Sequence, residues 1–249
     1  MTSSVTTAAA LCLLSAGAAL AEPRILAYGD SNTWGWIPSE AGFPTTRYPD
    51  NIRWPGVMEA ALEGTLDDVT VIVDGLSGRT VNTGYADAQN GIAGEAFAGL
   101  EDIRAAVAAA LPLDLVVVML GTNDARSDLA VDPAAVGADV IKLVEEIRSL
   151  DGGVATTYAT PPVLVVAPPA IGDTSATPIS GVTQGSQDRS RAVAASIIAA
   201  GETANFDVFD AGEAVTIDSI DGVHMTAPMH DVLGRAVADL TADMLAADQ

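Results

Sequence analysis

A β-branched and almost wholly apolar run at residues 113–120 constrains the fold of this chain more than any other feature. It reads LDLVVVML and ends at Gly121. A strand that is apolar on both faces is typical of a parallel sheet with helices packed on each side, because neither face is left to contact water. We therefore expect an α/β protein whose parallel sheet is covered on both faces.

Shorter apolar runs and helical patterns alternate along the rest of the chain. The further predicted strands are residues 24–28, 69–73, 163–167 and 207–209. The predicted helices are residues 54–62, 101–111, 134–150, 187–201 and 228–246. Strands that alternate with helices favour one parallel sheet of about five strands, in a single domain at residues 22–249.

Functional residues in such a sheet are expected just after the carboxyl ends of the strands, where ligands bind. Two loops rich in Gly, Pro, Ser and Thr, at residues 36–53 and 171–186, are long enough to line or cover a site there.

Residues 1–21 differ from the rest of the chain because they contain no charged side chain. Their apolar run ends in Ala19-Leu20-Ala21, the small-x-small pattern of a signal peptidase site. We predict a signal peptide here, and therefore a secreted or periplasmic protein. The only cysteine, Cys12, lies in this leader, so the mature chain would contain none.

The acidic composition excludes two classes of partner. Asp and Glu total 33 against 11 Lys and Arg, which gives a formal net charge of −22. Such a chain is repelled by nucleic acid phosphates and by anionic membranes, so we expect neither as a partner.

Cofactor binding has little support in the sequence. One Cys and two His are too few for a Cys/His zinc site or a disulfide framework. A carboxylate-rich Ca²⁺ site stays open on composition alone, but we predict no metal and no other cofactor. Neither the P-loop motif nor the Rossmann glycine motif occurs, so nucleotide binding is not indicated.

The first chemical motif, Gly29-Asp30-Ser31-Asn32, follows the first predicted strand. One interpretation is a turn and a helix N-cap, which Ser, Asp and Asn all favour. The other interpretation places Ser31 at a strand-to-helix turn with its hydroxyl exposed, so that its own N–H is directed at whatever the hydroxyl attacks.

Two further motifs follow the second and third strands, and each has a plain and a functional interpretation. Leu76-Ser77-Gly78-Arg79-Thr80 is either an ordinary glycine-rich loop or a loop in which Gly78 presents an unobstructed N–H. Gly121-Thr122-Asn123-Asp124 is either a capped turn or a turn in which Asn123 offers its carboxamide N–H to a developing oxyanion.

The last motif, Asp221-Gly222-Val223-His224, supplies a candidate base. The close spacing lets the Asp221 carboxylate hold the Nδ1–H of His224 and leaves Nε2 free to act on Ser31. His230, the other histidine, has no such partner nearby and is interpreted as an ordinary helix residue. The absence of a G-x-S-x-G elbow argues against an ordinary α/β-hydrolase.

Together the four motifs resemble the blocks of the SGNH (GDSL-type) hydrolases, in the order of that family and across nearly the whole chain after the leader. The resemblance implies a flavodoxin-like three-layer fold and a Ser31–His224–Asp221 catalytic triad. It also implies an oxyanion hole formed by the Ser31 N–H, the Gly78 N–H and the Asn123 side chain.

The resemblance also implies that three residues near Ser31 support the site or bind substrate: Asp30, Asn32 and Trp36. Asp30 would support the turn, and Trp36 would wall the acyl or alcohol pocket, although a core or interface role is the alternative for this tryptophan. Asn32 stands where the first block of the family usually has Leu. A polar group would then lie beside the nucleophile and alter the balance between hydrolysis and acyl transfer.

Longer segments, among them YGDSNTWGW and GLSGRT, are similar to the mycobacterial arylesterase/acyltransferase group. That group is known for esterase activity, acyl transfer to alcohols in water and perhydrolysis, and its members form oligomers, so the resemblance implies a homo-oligomer. The predicted export signal and the 171–186 loop are two departures from the group.

The residues and the resemblance together predict an exported serine esterase. It would hydrolyse short-chain acyl or aryl esters through an acyl-enzyme, and would transfer the acyl group to alcohols or peroxide. The alternatives are a carbohydrate or peptidoglycan O-acetylesterase, a catalytically silent binding protein of the same fold, and a metal-dependent hydrolase that uses the Asp residues.

Overall fold

Five parallel strands form the centre of the computed structural model, which describes residues 22–66, 68–218 and 220–247. The strands are β1 (Arg24–Gly29), β2 (Thr70–Gly75), β3 (Leu115–Met119), β4 (Val163–Ala167) and β5 (Asp207–Asp210). Their order across the sheet is β2-β1-β3-β4-β5, and every neighbouring pair is parallel. The signal peptide predicted at residues 1–21 lies outside the described residues and stays a prediction.

Strand β3 occupies the middle of the sheet, and all of its side chains are buried, as its apolar run predicts. It is shorter than the predicted run at 113–120, and Asp114, which precedes it, makes a contact of a different kind. The Asp114 carboxylate accepts a hydrogen bond from the backbone N–H of Arg24 at 2.7 Å, and this contact holds the start of β1 beside the start of β3.

Helices cover both faces of the sheet and give the fold three layers. The helices are α1 (Ser31–Trp34), α2 (Trp54–Leu62), α3 (Gly99–Ala110), α4 (Pro133–Arg148), α5 (Ser180–Thr183), α6 (Ser186–Ala204), α7 (Ala211–Ala214) and α8 (Ala227–Ala247). Helices α3, α4 and α6 pack on one face, and α2, α7 and α8 pack on the other. No helix in the described ranges is long and apolar enough to cross a membrane.

The five helices predicted from periodicity are all present, with ends that differ by a few residues. Helix α4 begins at Pro133 because the Asp132 side chain accepts the N–H of Ala134 and caps the first turn. The three helices that periodicity does not predict, α1, α5 and α7, are each four residues long. One turn is too short to show a helical repeat of apolar residues.

Helices α2 and α8 approach closely, and a glycine makes this approach feasible. A Cβ atom at Gly234 would lie 2.7 Å from the carbonyl oxygen of Trp54, which is closer than such atoms pack. The close contact holds α8 against α2 on the same face of the sheet. The segment immediately before α8, residues 220–226, has no helix or strand and lies at the carboxyl edge of the sheet.

Candidate active site

Strand β1 carries Ser31 to the carboxyl edge of the sheet at the first position of α1. Asp30 caps this short helix, because its carboxylate accepts the N–H of Asn32 at 2.9 Å. The helix ends after one turn at Gly35, whose φ of 94° is in the left-handed region that glycine adopts without strain. Both interpretations of the first motif therefore hold together: the turn is capped, and it presents the Ser31 hydroxyl.

His224 lies between Ser31 and Asp221, in a chain of short hydrogen bonds. The Ser31 Oγ is 2.9 Å from His224 Nε2, and His224 Nδ1 is 2.8 Å from Asp221 Oδ2. An ionised carboxylate only accepts hydrogen bonds, so Nδ1 carries the proton and Nε2 is free to accept the serine hydroxyl. The structure thus brings the three predicted residues into the geometry of a nucleophile, a base and an orienting acid.

The Asp221 carboxylate is held in its ionised form. Burial acts to raise its pKa, but hydrogen bonds from the His224 ring and from the backbone N–H groups of His224 and Val223 outweigh this effect and lower the pKa. The two backbone bonds go to Asp221 Oδ1, at 2.8 and 2.9 Å. Oδ2 is therefore left for the imidazole.

Gly78 and Asn123 line the same cavity as Ser31. The φ of Gly78 is 90°, in the region where a side chain is strained. The Nδ2 of Asn123 donates to the Arg79 carbonyl oxygen at 3.0 Å and lies 3.5 Å from Asp30 Oδ2, which is the limit of a hydrogen bond. One N–H of this amide is therefore held firmly, and the second makes only a weak hydrogen bond.

Asp30 and Asn32 are both fully buried, and neither lines the cavity. This differs from the prediction that they bind substrate, whereas the predicted support of the turn by Asp30 agrees with its hydrogen bond. The Asp30 carboxylate is engaged by the backbone of its own turn. The Asn32 amide turns away from the cavity toward the backbone of residues 223 and 225. The polar residue at this position therefore adds no polar group to the cavity wall.

Trp36 lies on the cavity wall, as predicted, and it also contacts the candidate base. Its ring is stacked on the His224 imidazole, with centroids 4.9 Å apart and an angle of 19° between the planes. It also meets the ring of Phe43 edge to face, with a centroid distance of 5.5 Å. Trp36 is thus both a wall residue and a neighbour of the base.

The cavity in front of Ser31 has a volume of about 770 Å³. The two long loops contribute to its lining, as predicted: Phe43 and Pro44 come from the 36–53 loop, and Ile179 and Val182 from the 171–186 loop. Aliphatic and aromatic side chains therefore dominate the part of the cavity that these loops form.

Two buried carboxyl groups lie behind the site. Burial raises the pKa of Asp30 to about 6, while the N–H of Asn32 and the nearby His224 act in the opposite direction. Burial also raises the pKa of Asp124 to about 7, although both of its oxygens accept the N–H of Val81. Neither shift is visible in the sequence, because burial causes both.

Sequence reasoning missed Arg79, which anchors the loop that carries Gly78. The guanidinium donates to the carbonyl oxygens of Gly29 at 3.0 Å and Asp74 at 2.9 Å, at the ends of β1 and β2. It also lies 4.0 Å from the centre of the Tyr28 ring. The only feature of the sequence that pointed to Arg79 was its position next to Gly78.

Tyr85 was also missed, and no motif pointed to it. Its Oη donates to the Gly78 carbonyl oxygen at 2.7 Å and accepts from the Arg126 guanidinium at 3.2 Å. The hydrogen bond to Gly78 holds the peptide next to a candidate oxyanion donor.

Comparisons with known proteins agree with this geometry. A sequence model of the GDSL-like Lipase/Acylhydrolase family matches residues 27–232. No curated protein sequence matches the chain. The family match confirms the resemblance that the four motifs predicted.

Several solved structures share the fold. A carbohydrate acetylesterase from Sinorhizobium meliloti has 36% sequence identity and a TM-score of 0.80, over 90% of this chain and 100% of that chain. The native M. smegmatis aryl esterase has 34% identity and a TM-score of 0.81, over 89% of this chain and 99% of that chain. A second carbohydrate acetylesterase family member from Sinorhizobium meliloti has 28% identity and a TM-score of 0.77, over 90% and 99%. The predicted three-layer fold is therefore confirmed.

Proposed function

The chain belongs to the GDSL-like lipase/acylhydrolase family, and we propose that this esterase hydrolyses short-chain acyl or aryl esters with Ser31 as its nucleophile. One observation carries the proposal. The Ser31 hydroxyl opens onto the cavity and lies 2.9 Å from His224 Nε2, while the other ring nitrogen is held by Asp221.

Acylation follows from this geometry. His224 Nε2 takes the Ser31 proton as Oγ bonds to the ester carbonyl carbon, and the carbonyl oxygen becomes an oxyanion. The N–H groups of Ser31, Gly78 and Asn123 stabilise that charge. The intermediate collapses as the bond to the leaving alkoxide breaks, and His224 gives the proton to the alcohol that leaves.

Deacylation repeats these steps with water. His224 removes a proton from the water as its oxygen attacks the acyl carbonyl. The Ser31 Oγ then leaves and recovers the proton from His224. The products are the carboxylic acid and the free enzyme, and Asp221 stabilises the imidazolium in both halves of the reaction.

The residues of the cavity wall favour a substrate with small apolar or aromatic groups. Trp36 and Phe43 offer aromatic faces near His224, and Ile179 and Val182 offer aliphatic surface. The similarity to the M. smegmatis aryl esterase supports the same substrate class.

The central test is p-nitrophenyl acetate turnover by wild type and by Ser31→Ala. We expect the variant to lose activity by at least ~10³-fold, as in other triads, and to lose covalent labelling by a fluorophosphonate. The exposed-surface variant Ser175→Ala is the matched control. Wild-type turnover by Ser31→Ala would overturn the assignment of the nucleophile, and wild-type enzyme that neither labels nor turns over would indicate a silent binding protein.

A carbohydrate O-acetylesterase is the second candidate, and the polar part of the cavity favours it. Ser77, Gln89 and Asn90 line this cavity, and they offer hydrogen bonds to a hydroxylated leaving group. The similarity to a carbohydrate acetylesterase adds support. A kcat/KM on acetylated xylan far above that on aryl acetates would select this candidate, and the opposite ranking would select the aryl esterase.

Acyl transfer and export complete the proposal. Acyl transfer is tested by turnover in water with added alcohol, where an alkyl ester forms in place of part of the acid.

Export is tested by expressing the full chain and sequencing the N-terminus of the mature protein, which should begin at Glu22. Retention of residues 1–21 would contradict it.

A further inference from the structure

The side chain of Asn32 joins the candidate nucleophile to the backbone on both sides of the candidate base. Its Nδ2 donates to the carbonyl oxygen of Val223 at 3.3 Å, and its Oδ1 accepts the N–H of Met225 at 3.0 Å. One amide plane therefore holds the two residues that flank His224. The side chain is 1% exposed, so water does not compete for these hydrogen bonds.

The nucleophile end of this link is rigid. Asn32 directly follows Ser31 in α1, and its own backbone N–H is bonded to the Asp30 carboxylate at 2.9 Å. A side chain anchored in this turn moves with the Ser31 backbone. The carboxamide of Asn32 therefore fixes the backbone of Val223 and Met225 relative to Ser31.

The segment that carries His224 packs against Trp36 and the apolar core, but it has few other hydrogen bonds to the rest of the chain. Residues 220–226 form no helix or strand, so no regular hydrogen-bond ladder sets their distance from β1. The bonds that Asp221 accepts from Val223 and His224 lie within the segment and set only its internal shape. A bond from the Gly172 N–H to the Gly222 carbonyl oxygen at 2.8 Å ties it to the loop after β4 and not to the turn of Ser31.

We propose that Asn32 is a positioning residue that sets the distance between Ser31 Oγ and His224 Nε2. The proposal rests on the proposed function, in which His224 removes the Ser31 proton. Apart from the reacting pair, the two Asn32 bonds link the turn of Ser31 directly to the segment of His224 among the described residues. Proton transfer needs heavy atoms within hydrogen-bond reach, and a misplacement of about 1 Å costs on the order of 10²-fold in rate.

The test compares Asn32→Leu with Thr33→Val. Leucine has the same branching at Cγ, although it is larger, and it cannot form either hydrogen bond. Thr33 lies in the same turn and is buried, and its hydroxyl has no hydrogen-bond partner within the described part of the chain. Its replacement by valine therefore perturbs the same helix without touching the link.

We expect Asn32→Leu to lower kcat on p-nitrophenyl acetate by roughly 10- to 100-fold and to change KM by less than about 3-fold, because the bound ester does not contact Asn32. Thr33→Val should keep kcat within about 2-fold of wild type. Rates are expressed per active site, titrated to completion with a fluorophosphonate. A merely structural role would lower the number of titrated sites and leave kcat per site unchanged.

A second variant keeps the proposal testable if leucine prevents folding. Asn32→Ala removes the same two hydrogen bonds without adding bulk, and should show the same loss of kcat at a temperature below its melting transition. Wild-type kcat per titrated site in either variant overturns the positioning role. Ser31→Ala, run in parallel, distinguishes failure of the proposed function from failure of the positioning role. If Ser31→Ala retains turnover, the proposed function fails. If it is inactive while Asn32→Leu has the same kcat as Thr33→Val, the positioning role alone fails.

Discussion

The indole of Trp36 lies nearly parallel to the imidazole of His224, with ring centroids 4.9 Å apart. In the proposed reaction, His224 becomes an imidazolium when it takes the serine proton. The face of an indole is negative and attracts a cation in this position. The stacking therefore stabilises the charged form that arises during the reaction more than the neutral form present before it.

Replacing Trp36 by leucine should lower kcat for this reason. A cation–π contact contributes about 0.5–2 kcal/mol, which corresponds to a loss of roughly 2- to 30-fold in kcat. Trp36→Phe keeps an aromatic face and should recover part of the loss, in kcat measured on p-nitrophenyl acetate. Equal kcat values for the leucine and phenylalanine variants would show that the wall needs only apolar volume.

The hydrogen bond from Tyr85 to the Gly78 carbonyl oxygen predicts an effect on the oxyanion hole. Tyr85→Phe removes this 2.7 Å bond and keeps the ring that packs against Phe97. The Gly78 peptide should become less well oriented, and we expect kcat to fall by about 3- to 10-fold with little change in KM. Tyr158→Phe, at an exposed tyrosine, is the matched control. The idea would be wrong if both variants kept wild-type kcat.

From the burial of His230 we predict that the folded protein loses stability in acid. Its ring is buried, its Nδ1 accepts the backbone N–H of Trp54, and burial lowers its pKa to about 3. The unfolded chain binds the proton near the ordinary pKa of 6.5. Stability contributed by the neutral ring is therefore complete above pH 6.5 and is lost as the pH falls toward 3.

The effect of His230 should reach on the order of 2 kcal/mol at pH 5. His230→Asn keeps an acceptor for Trp54 and does not titrate. Urea unfolding at pH 7.5 and pH 5 should show a smaller drop in unfolding free energy for the variant than for wild type. The same drop in both proteins would remove His230 as the cause.

Asp124 predicts the opposite dependence. Its pKa is raised to about 7 by burial, so the folded protein holds a proton that the unfolded chain releases near pH 4. The stability this group contributes is complete below pH 4 and is lost as the pH rises through 7. Because this window overlaps that of His230, the two effects partly cancel in wild type, and Asp30, whose pKa is also raised, acts in the same direction as Asp124.

Asp124→Asn should separate the two effects. The amide oxygen still accepts the Val81 N–H, and no charge forms at high pH. We expect the stability of the variant to fall less between pH 5 and pH 8 than that of wild type, measured by urea unfolding. Asp151→Asn, at an exposed aspartate, is the control. A wild-type pH dependence in Asp124→Asn would contradict the prediction.

The central strands and the long helices were predictable from the sequence, because their signals are local. The run at 113–120 contains β3, and the periodicity at 134–150 contains most of α4. The four-residue helices were not predictable from periodicity, since a single turn has no repeat to detect, although the cap motif at Asp30 indicated the start of α1. Ser31, Asn123 and His224 were found because each stands directly after a strand or in the last loop.

The sequence by itself determined which residue types stand at the carboxyl edge of a parallel sheet, because strand patterns and turn motifs involve neighbours along the chain. Only the tertiary structure decided what the side chains meet there. It turned Asn32 away from the cavity toward residues about 190 positions later, stacked Trp36 on His224, and buried Asp124 and His230 deeply enough to shift their pKa values in opposite directions. These properties depend on contacts between distant segments and on exclusion of water, and neither is written in the order of neighbouring residues.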